Sequence, residues 1–205
     1  MTAVSDHASS GAGAPRSTYS WAAIILHWTI AALILTNIGL AWYFTRLKGP
    51  AEIAPLGLHK SIGITVLMLS VLRVAIRIAI PPPPLPERMP GWEKTAARTL
   101  HTLFYLLILG LPLSGWAMVS ASPLIRVHPT VLFGIVPWPA LRLPGLSPDQ
   151  LHDARHLFSA THLTLAWIAY FAISLHVGAA LKHQFLDRDE VLGRMFPPLA
   201  RAPKP

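Results

Sequence analysis

The sequence predicts an all-α protein, an integral membrane bundle of four helices. Hydrophobic residues make up 53% of the 205-residue chain and charged residues only 13%, about half the charged fraction of a typical soluble domain. Four separate apolar stretches are each long enough to cross a bilayer, which takes about 20 residues of helix. We therefore expect one membrane domain rather than several soluble ones.

The four predicted spans follow these apolar stretches along the chain. They cover residues from about 21 to 44, 58 to 80, 100 to 122 and 158 to 181. The prolines from Pro81 to Pro84 end the second span, because proline lacks an N–H group and clashes with the preceding turn. Pro112 lies within the third span, where we expect a kink that the neighbouring helices accommodate.

The remaining segments are predicted to be irregular. Residues 1–18 are rich in Ala, Ser and Gly and should form a disordered tail. Residues 19–196 then form the membrane domain, and residues 197–205 form a C-terminal tail. The segment 123–149 holds six prolines among apolar residues, too many for a span. We interpret it as a loop on the membrane surface with Trp138 in the interfacial belt, or as a plain irregular loop.

The distribution of basic residues predicts the orientation. The chain has a net charge of +8, which in a soluble protein would suggest nucleic acid. Here 11 of the 17 Lys and Arg residues lie on the side of the two termini and 6 on the other. Because basic residues collect on the cytoplasmic side and meet anionic lipid there, we expect cytoplasmic termini in a bacterial inner membrane. No nucleic-acid partner is expected.

The chain has no cysteine but ten histidines. The lack of cysteine excludes disulfides, iron–sulfur clusters, thiolate-bound zinc and haem attached through C-x-x-C-H. Any redox centre must be held by other side chains. Histidine within a bilayer costs free energy and is therefore a candidate functional residue.

Four histidines fall into two pairs by depth in the membrane. His27 and His176 lie near the predicted inner surface, whereas His59 and His162 lie near the outer one. His162 and His176 are 14 residues apart, close to four whole turns, so they share one helix face about 21 Å apart. This one helix thus contributes one histidine to the pair near the inner surface and one to the pair near the outer surface.

The two layers favour haem over the alternatives. Zinc needs ligands that converge on one point, proton relays usually include Asp or Glu, and a lone membrane histidine is often only a hydrogen-bonded core residue. Haem iron takes axial imidazoles in helical bundles. With both axial positions filled, such a centre transfers electrons rather than binding oxygen.

Several short motifs around these histidines resemble those of the prokaryotic cytochrome b561 family. The motifs are His27-Trp28, the run His59-Lys60-Ser61-Ile62-Gly63, Leu72-Arg73, Arg77, His101, the run Leu111-Pro112-Leu113-Ser114-Gly115-Trp116, His162, the run from His176 to His183, and Asp187-Arg188-Asp189. Their order and spacing agree with the family over residues 19–196.

The resemblance implies a four-helix inner-membrane protein with two haem b groups. His27 and His176 would be the axial ligands of the inner haem, and His59 and His162 those of the outer haem. The activity that it implies is superoxide oxidase, in which superoxide is oxidised outside and ubiquinone is reduced. It also implies a quinone site at His101 and His183, which is chemically suitable because quinone reduction consumes protons and histidine titrates near neutral pH. The two could instead be interface histidines in contact with water or haem propionates.

Basic residues near the candidate ligands have two interpretations each. Lys60 and Arg155, with Arg46 and Lys48 nearby, could steer superoxide to the outer side, or could simply extend to the membrane interface. Arg73 and Arg77 could neutralise haem propionates or face lipid headgroups.

The sequence also allows two rival functions and contains four further histidines. The first rival is an electron-transfer subunit linking the quinone pool to a dehydrogenase, hydrogenase or soluble cytochrome. The apolar loop 123–149 could be its docking face, or could be a lid. The second is a haem-free ion or metal transporter. His7 and His128 are interpreted as incidental. His152 and His156, four residues apart, suit a surface metal, but we predict solvated residues just before the fourth span.

Overall fold

Four long helices make up most of the structure, a computed structural model that describes residues 18–127 and 129–199, except the side chain of Arg126. They are α1 (Trp21–Phe44), α2 (Ile53–Ala79), α3 (Gly91–Ser120) and α4 (Pro148–Lys182). Each is long and apolar enough to cross a membrane, which confirms the predicted all-α architecture. Residues 1–17 of the predicted tail, including His7, and His128 lie outside the described residues.

Three helices begin earlier than the apolar stretches indicate. α1 has the predicted bounds, but α2 begins at Ile53, α3 at Gly91 and α4 at Pro148. The start of α4 is set by a capping box, in which Ser147 Oγ accepts from the Gln150 N–H (3.3 Å) and Gln150 Oε1 accepts from the Ser147 N–H (2.8 Å). The first turns of α4 therefore extend beyond the predicted span at the end of the bundle away from the described chain ends, which is called the outer end after its predicted orientation.

The apolar core is divided between two helix pairs. The closest backbone packing joins α1 to α2 and α3 to α4, and α2 also packs along α3. One buried cluster joins α1 and α2 through Leu26, Ile30, Ile62 and Val66. A second joins α3 and α4 through Leu107, Ala169 and Ala172. The outward surface is apolar too, as contact with lipid requires.

The outer loop, residues 121–147 between α3 and α4, is more ordered than predicted. It contains a short 3₁₀ turn (Pro123–Arg126) and an antiparallel hairpin of β1 (Val131–Leu132) and β2 (Val136–Pro137). The hairpin turns through Phe133 and Gly134, both with positive φ, a conformation in which glycine has no steric cost. The alternative of a plain irregular loop was therefore wrong, whereas a loop on the membrane surface stays a prediction.

Hydrogen bonds fix the outer loop to the helices beneath it. The Phe133 N–H donates to Ser61 Oγ of α2, and the Leu141 N–H donates to Ser120 Oγ of α3, both at 2.9 Å. Trp116 Nε1 donates to the Pro139 carbonyl at 2.9 Å. The Trp138 ring lies 5.6 Å from the Trp116 ring, so it packs on α3.

The segment after α4 folds back over the inner end of the bundle. A π-helical turn (His183–Asp187) continues α4, and Arg188 then adopts a left-handed conformation that reverses the chain. Trp28 Nε1 of α1 donates to the Met195 carbonyl at 2.9 Å. Because Trp28 also packs on Phe196, the two ends of the described chain meet at one end of the bundle.

Candidate functional site

The outer histidine pair joins α2 to α4. His59 lies more than one turn into α2, and His162 lies about four turns into α4. Their ring centroids are 6.3 Å apart and their ring planes are 77° apart. Both side chains are partly buried beneath the outer loop. The structure thus brings together the two outer histidines that the sequence pairs by depth.

Backbone carbonyls orient both outer imidazoles. His59 Nδ1 lies 3.2 Å from the Asn37 carbonyl oxygen, and His162 Nδ1 lies 3.0 Å from that of Leu111. A carbonyl only accepts, so each Nδ1 carries the ring proton and each Nε2 keeps its lone pair. Ser114 Oγ, which donates to the same Leu111 carbonyl, lies 3.1 Å from His162 Nδ1. This is the usual arrangement around a metal-binding histidine.

Gly115 makes room for the outer pair. A Cβ atom at this position would lie 3.2 Å from His162 Cε1 and 3.3 Å from His162 Nδ1. Nearby, a Cβ on Gly110 would lie 3.5 Å from the Leu165 side chain. Gly110 and Gly115 therefore let α3 pack closely against α4, and the His162 ring fills the space next to Gly115.

The inner histidine pair joins α1 to α4. The ring centroids of His27 and His176 are 6.2 Å apart, with ring planes 73° apart. Arg73 of α2 reaches across to α1, where Nη1 donates to the Ala23 carbonyl (3.1 Å) and Nη2 lies 3.4 Å from His27 Nδ1. Phe104 packs edge-on against His176 at 5.2 Å. A guanidinium group and an aromatic ring thus border this pair.

Both pairs have the spacing of two imidazoles that share one metal. A bond of about 2 Å from metal to imidazole nitrogen places each ring centre about 3 Å from the metal, so two opposed rings lie about 6 Å apart. The observed centroid separations are 6.2 and 6.3 Å. α4 meets α1 and α2 through these side chains, while its close backbone packing is with α3. Each pair therefore leaves room for one metal ion between its two imidazoles, between α4 and the α1–α2 pair.

A cavity of about 300 Å³ lies at the inner end, beside the inner pair. Its walls are the loop Pro82–Leu85 and the side chains of Tyr19, Arg77, Arg98, His101, Thr102 and Tyr105. The ring centroid of His101 lies 5.9 Å from that of His176. The volume is at the lower limit for small-molecule sites, and His101 connects this cavity to the inner pair.

His183, the other predicted quinone residue, lies in a separate ionic network. Its Nδ1 is 2.7 Å from Asp189 Oδ2 and 3.1 Å from Asp187 Oδ2, and its Nε2 is 3.9 Å from Glu93 Oε2. Lys182 bridges Glu93 (2.8 Å) and Asp187 (2.7 Å). This network ties the start of α3 to the end of α4. The structure does not bring His183 to the cavity that His101 lines.

Four basic residues gather at the outer end, as predicted. Lys60 follows His59 and is half-buried, whereas Arg155, Arg46 and Lys48 are exposed. Within residues 18–127 and 129–199, none of the four forms a salt bridge. At the inner end, Arg73 lies beside His27 and Arg77 lines the cavity. The outer end therefore carries basic side chains outside salt bridges, with Lys60 next to His59 in the chain.

Several site residues are not evident from the sequence. Tyr19, Arg98 and Tyr105 line the inner cavity, but each is an ordinary residue at the edge of an apolar stretch. Burial raises the pKa of the Tyr19 hydroxyl, an effect that Arg77 opposes, so the phenol keeps its proton at neutral pH. Gly115 offered a better signal, because it stands between a serine and a tryptophan in a motif that the sequence already singles out.

Comparison with known proteins gives consistent matches over most of the chain. Residues 18–198 match the family model described as prokaryotic cytochrome b561. Cytochrome b561 homolog 2 of Escherichia coli (strain K12) is 35% identical over 186 residues, covering 90% of each chain. A protein named probable superoxide oxidase CybB, from Yersinia pestis, is 31% identical over 183 residues, covering 87% of this chain and 96% of its own.

Proposed function

Since the chain belongs to the prokaryotic cytochrome b561 family and is thus a multi-pass membrane electron-transfer protein, we propose that it is a superoxide oxidase that reduces ubiquinone. Two haem b groups are held in this proposal, the outer one by His59 and His162 and the inner one by His27 and His176. Bound haem supplies one-electron redox chemistry at each level of the membrane. The proposed location is a bacterial inner membrane with both termini in the cytoplasm.

The observation that carries the proposal is the repetition of one geometry at two depths. Each pair has a centroid separation suited to a single iron, and the two α4 histidines are 14 residues apart, about 21 Å along the helix. That distance covers much of the hydrocarbon thickness of about 30 Å. A protein that only stored one haem would not need both layers.

The outer end offers an electrostatic path for an anion. Lys60 and Arg155 lie on the same helices as His59 and His162, and Arg46 and Lys48 add charge on the adjoining loop. Positive potential around a site raises the encounter rate of anions by about 10- to 1000-fold in favourable cases. The orientation of His59 and His162 by carbonyls keeps the Nε2 atoms available for iron. Superoxide is thus the donor that the charge favours.

The inner cavity is the proposed quinone site. His101 and Tyr19 offer ring and phenol protons to the quinone carbonyls, and the raised pKa of Tyr19 keeps its hydroxyl a donor. Arg77 and Arg98 attract negative charge that develops on the quinone oxygens. Overall, two superoxide anions, two protons and one ubiquinone become two dioxygen molecules and one ubiquinol. His183 contributes through the fold of this end rather than through contact with the quinone.

A spectroscopic experiment tests this function. The purified oxidised protein receives a pulse of superoxide, and the visible spectrum is followed with and without added ubiquinone. We expect a b-type α-band that appears rapidly and fades once ubiquinone is added. A band that appears only with dithionite would contradict superoxide as the donor, and the absence of haem absorbance would contradict the haem assignment.

An electron-transfer subunit is the second candidate, favoured by the outer loop. This loop exposes Val127, Phe133 and Ile135, which are 71%, 55% and 79% accessible, at the end of the bundle nearest the outer pair. An apolar face there suits a redox protein that docks and exchanges electrons. In that case reduction of the haem would require the partner, and superoxide would leave the spectrum unchanged.

A further inference from the structure

The outer extension of α4 carries two histidines that serve neither proposed haem. His152 and His156 lie within α4, rather than before it as the sequence predicts, and both are exposed. They are four residues apart and so share one face of the helix. His156 precedes His162 by six residues, about 9 Å along the axis. The pair therefore stands outside the outer haem site.

The Nε2 atoms of the two rings lie close together. They are 3.2 Å apart, while the ring centroids are 4.4 Å apart and the ring planes are 63° apart. The two exposed imidazoles thus present their Nε2 atoms within reach of a single ion.

This spacing matches a chelated metal ion. With metal–nitrogen bonds of about 2.0–2.1 Å and a tetrahedral angle, two imidazole nitrogens on one metal are about 3.3 Å apart. The observed 3.2 Å agrees with this separation, and the ring centroids, now 4.4 Å apart, would move to about 5 Å apart for both Nε2 lone pairs to point at one ion. Asp153 Oδ1 lies 3.7 Å from His152 Nδ1, so a negative charge stands near the pair, which favours a bound cation.

We propose that His152 and His156 form a surface site for a divalent transition metal, Zn²⁺ or Cu²⁺, with water in the remaining positions. Imidazole ligands select these metals over Mg²⁺ and Ca²⁺. The site lies on the side of the membrane opposite the described chain ends, next to Arg155. It goes beyond the proposed function and does not depend on haem or on superoxide chemistry.

Calorimetric titration of the tag-free, haem-loaded protein in detergent with Zn²⁺ tests the site. We expect one Zn²⁺ per chain, and a loss of affinity of at least about ten- to hundredfold in each of His152→Gln and His156→Gln, the range known for disturbed metal-ligand shells. His7→Gln serves as the control and should bind like the wild type. All variants are compared at equal haem content, which identifies misfolded protein.

A second measurement identifies the ligands. Electron paramagnetic resonance of added Cu²⁺ should show hyperfine coupling to imidazole nitrogen in the wild type and its loss in both histidine variants. The proposal is overturned if the wild type binds no metal, or if binding of unchanged affinity survives both substitutions. The latter result would place the metal elsewhere, for example at Glu93, His183 and Asp187, whose ligand atoms lie within 4.8 Å of one another.

Discussion

Each outer histidine is fixed at the ring nitrogen that would not meet a metal. The carbonyls of Asn37 and Leu111 accept from the Nδ1 atoms of His59 and His162, and these carbonyls belong to α1 and α3. The orientation of each ring is thus set by a helix other than its own. A substitution can therefore disturb the outer pair without touching either histidine.

Gly115→Ala is expected to disturb the outer pair in this way. The added methyl group would lie 3.2 Å from His162 Cε1, and such overpacking typically costs about 1–3 kcal/mol. We expect the haem content, measured by the pyridine haemochrome assay, to fall from two per chain toward one. Gly178→Ala is the control, because a Cβ there meets nothing within 4 Å. An unchanged haem content in Gly115→Ala would contradict the assignment of His162.

Removing the outer charges is expected to slow the reaction with superoxide. In the double variant Lys60→Gln and Arg155→Gln, the second-order rate constant should fall several-fold at low ionic strength, and its dependence on salt should weaken. Pulse radiolysis at several salt concentrations measures both. The control removes two exposed charges from the inner end, through Arg88→Gln and Arg188→Gln. If the first double variant keeps wild-type rates and salt dependence, this pair does not steer superoxide.

At the scale of elements, the outer loop depends on two serines. Ser61 and Ser120 are buried, and each hydroxyl donates within its own helix while accepting an N–H from the loop. A serine side chain can do both, since a hydroxyl group is donor and acceptor at once. The loop is therefore held close to the proposed outer haem site by two polar contacts.

Ser61→Ala and Ser120→Ala are each expected to loosen the outer loop. Each change removes the acceptor of a loop N–H, with a net cost of about 1 kcal/mol. Hydrogen exchange should become faster at residues 131–141, and the thermal midpoint should fall slightly. Ser174→Ala is the control, since Ser174 Oγ donates only to Tyr170 within α4. Exchange as slow as in the wild type would show that other contacts hold the loop.

The sequence predicts the elements unevenly, for physical reasons. Hydropathy detects only the part of a helix that lies in lipid. Because α1 is apolar throughout, its predicted bounds agree with those in the structure. α4 continues outward through polar residues because of the Ser147 capping box, which hydropathy does not detect. The hairpin was missed because two-residue strands among prolines leave no alternating pattern.

The sequence likewise predicts some parts of the candidate site and not others. The pairing of histidines follows from helix periodicity, a local property that the sequence contains. By contrast, the inner cavity forms where Tyr19, the loop Pro82–Leu85 and α3 meet, residues far apart in the chain. His101 and His183 were both predicted from the sequence to belong to the quinone site, yet only His101 lines the cavity. Which of two such residues meets a ligand depends on tertiary packing.

At the scale of the whole molecule, the surface and the interior differ little in polarity. Leu35 and Phe171 are 59% and 72% accessible, which a soluble protein would avoid but a bilayer accommodates. The charged residues lie mainly at the two ends. Both described chain ends lie at the same end, as four spans require.

The termini are expected to be cytoplasmic, because 11 of the 17 basic residues lie on their side. A green fluorescent protein fused after Pro205 should fluoresce, and alkaline phosphatase fused there should be inactive. Phosphatase inserted after Gly145, in the exposed outer loop, should be active and serves as the positive control. The opposite pattern of activities would reverse the assignment of inner and outer sides throughout.

The divided core bears on the order of events during synthesis. The α1–α2 hairpin buries its own cluster, and α3 with α4 buries another, so each hairpin can become compact as soon as it leaves the ribosome. The histidine pairs, in contrast, need α4, the last helix to be made. We therefore expect haem binding to be the last step of maturation. When haem is scarce, the α1–α2 and α3–α4 hairpins should accumulate in the membrane as two folded halves without haem.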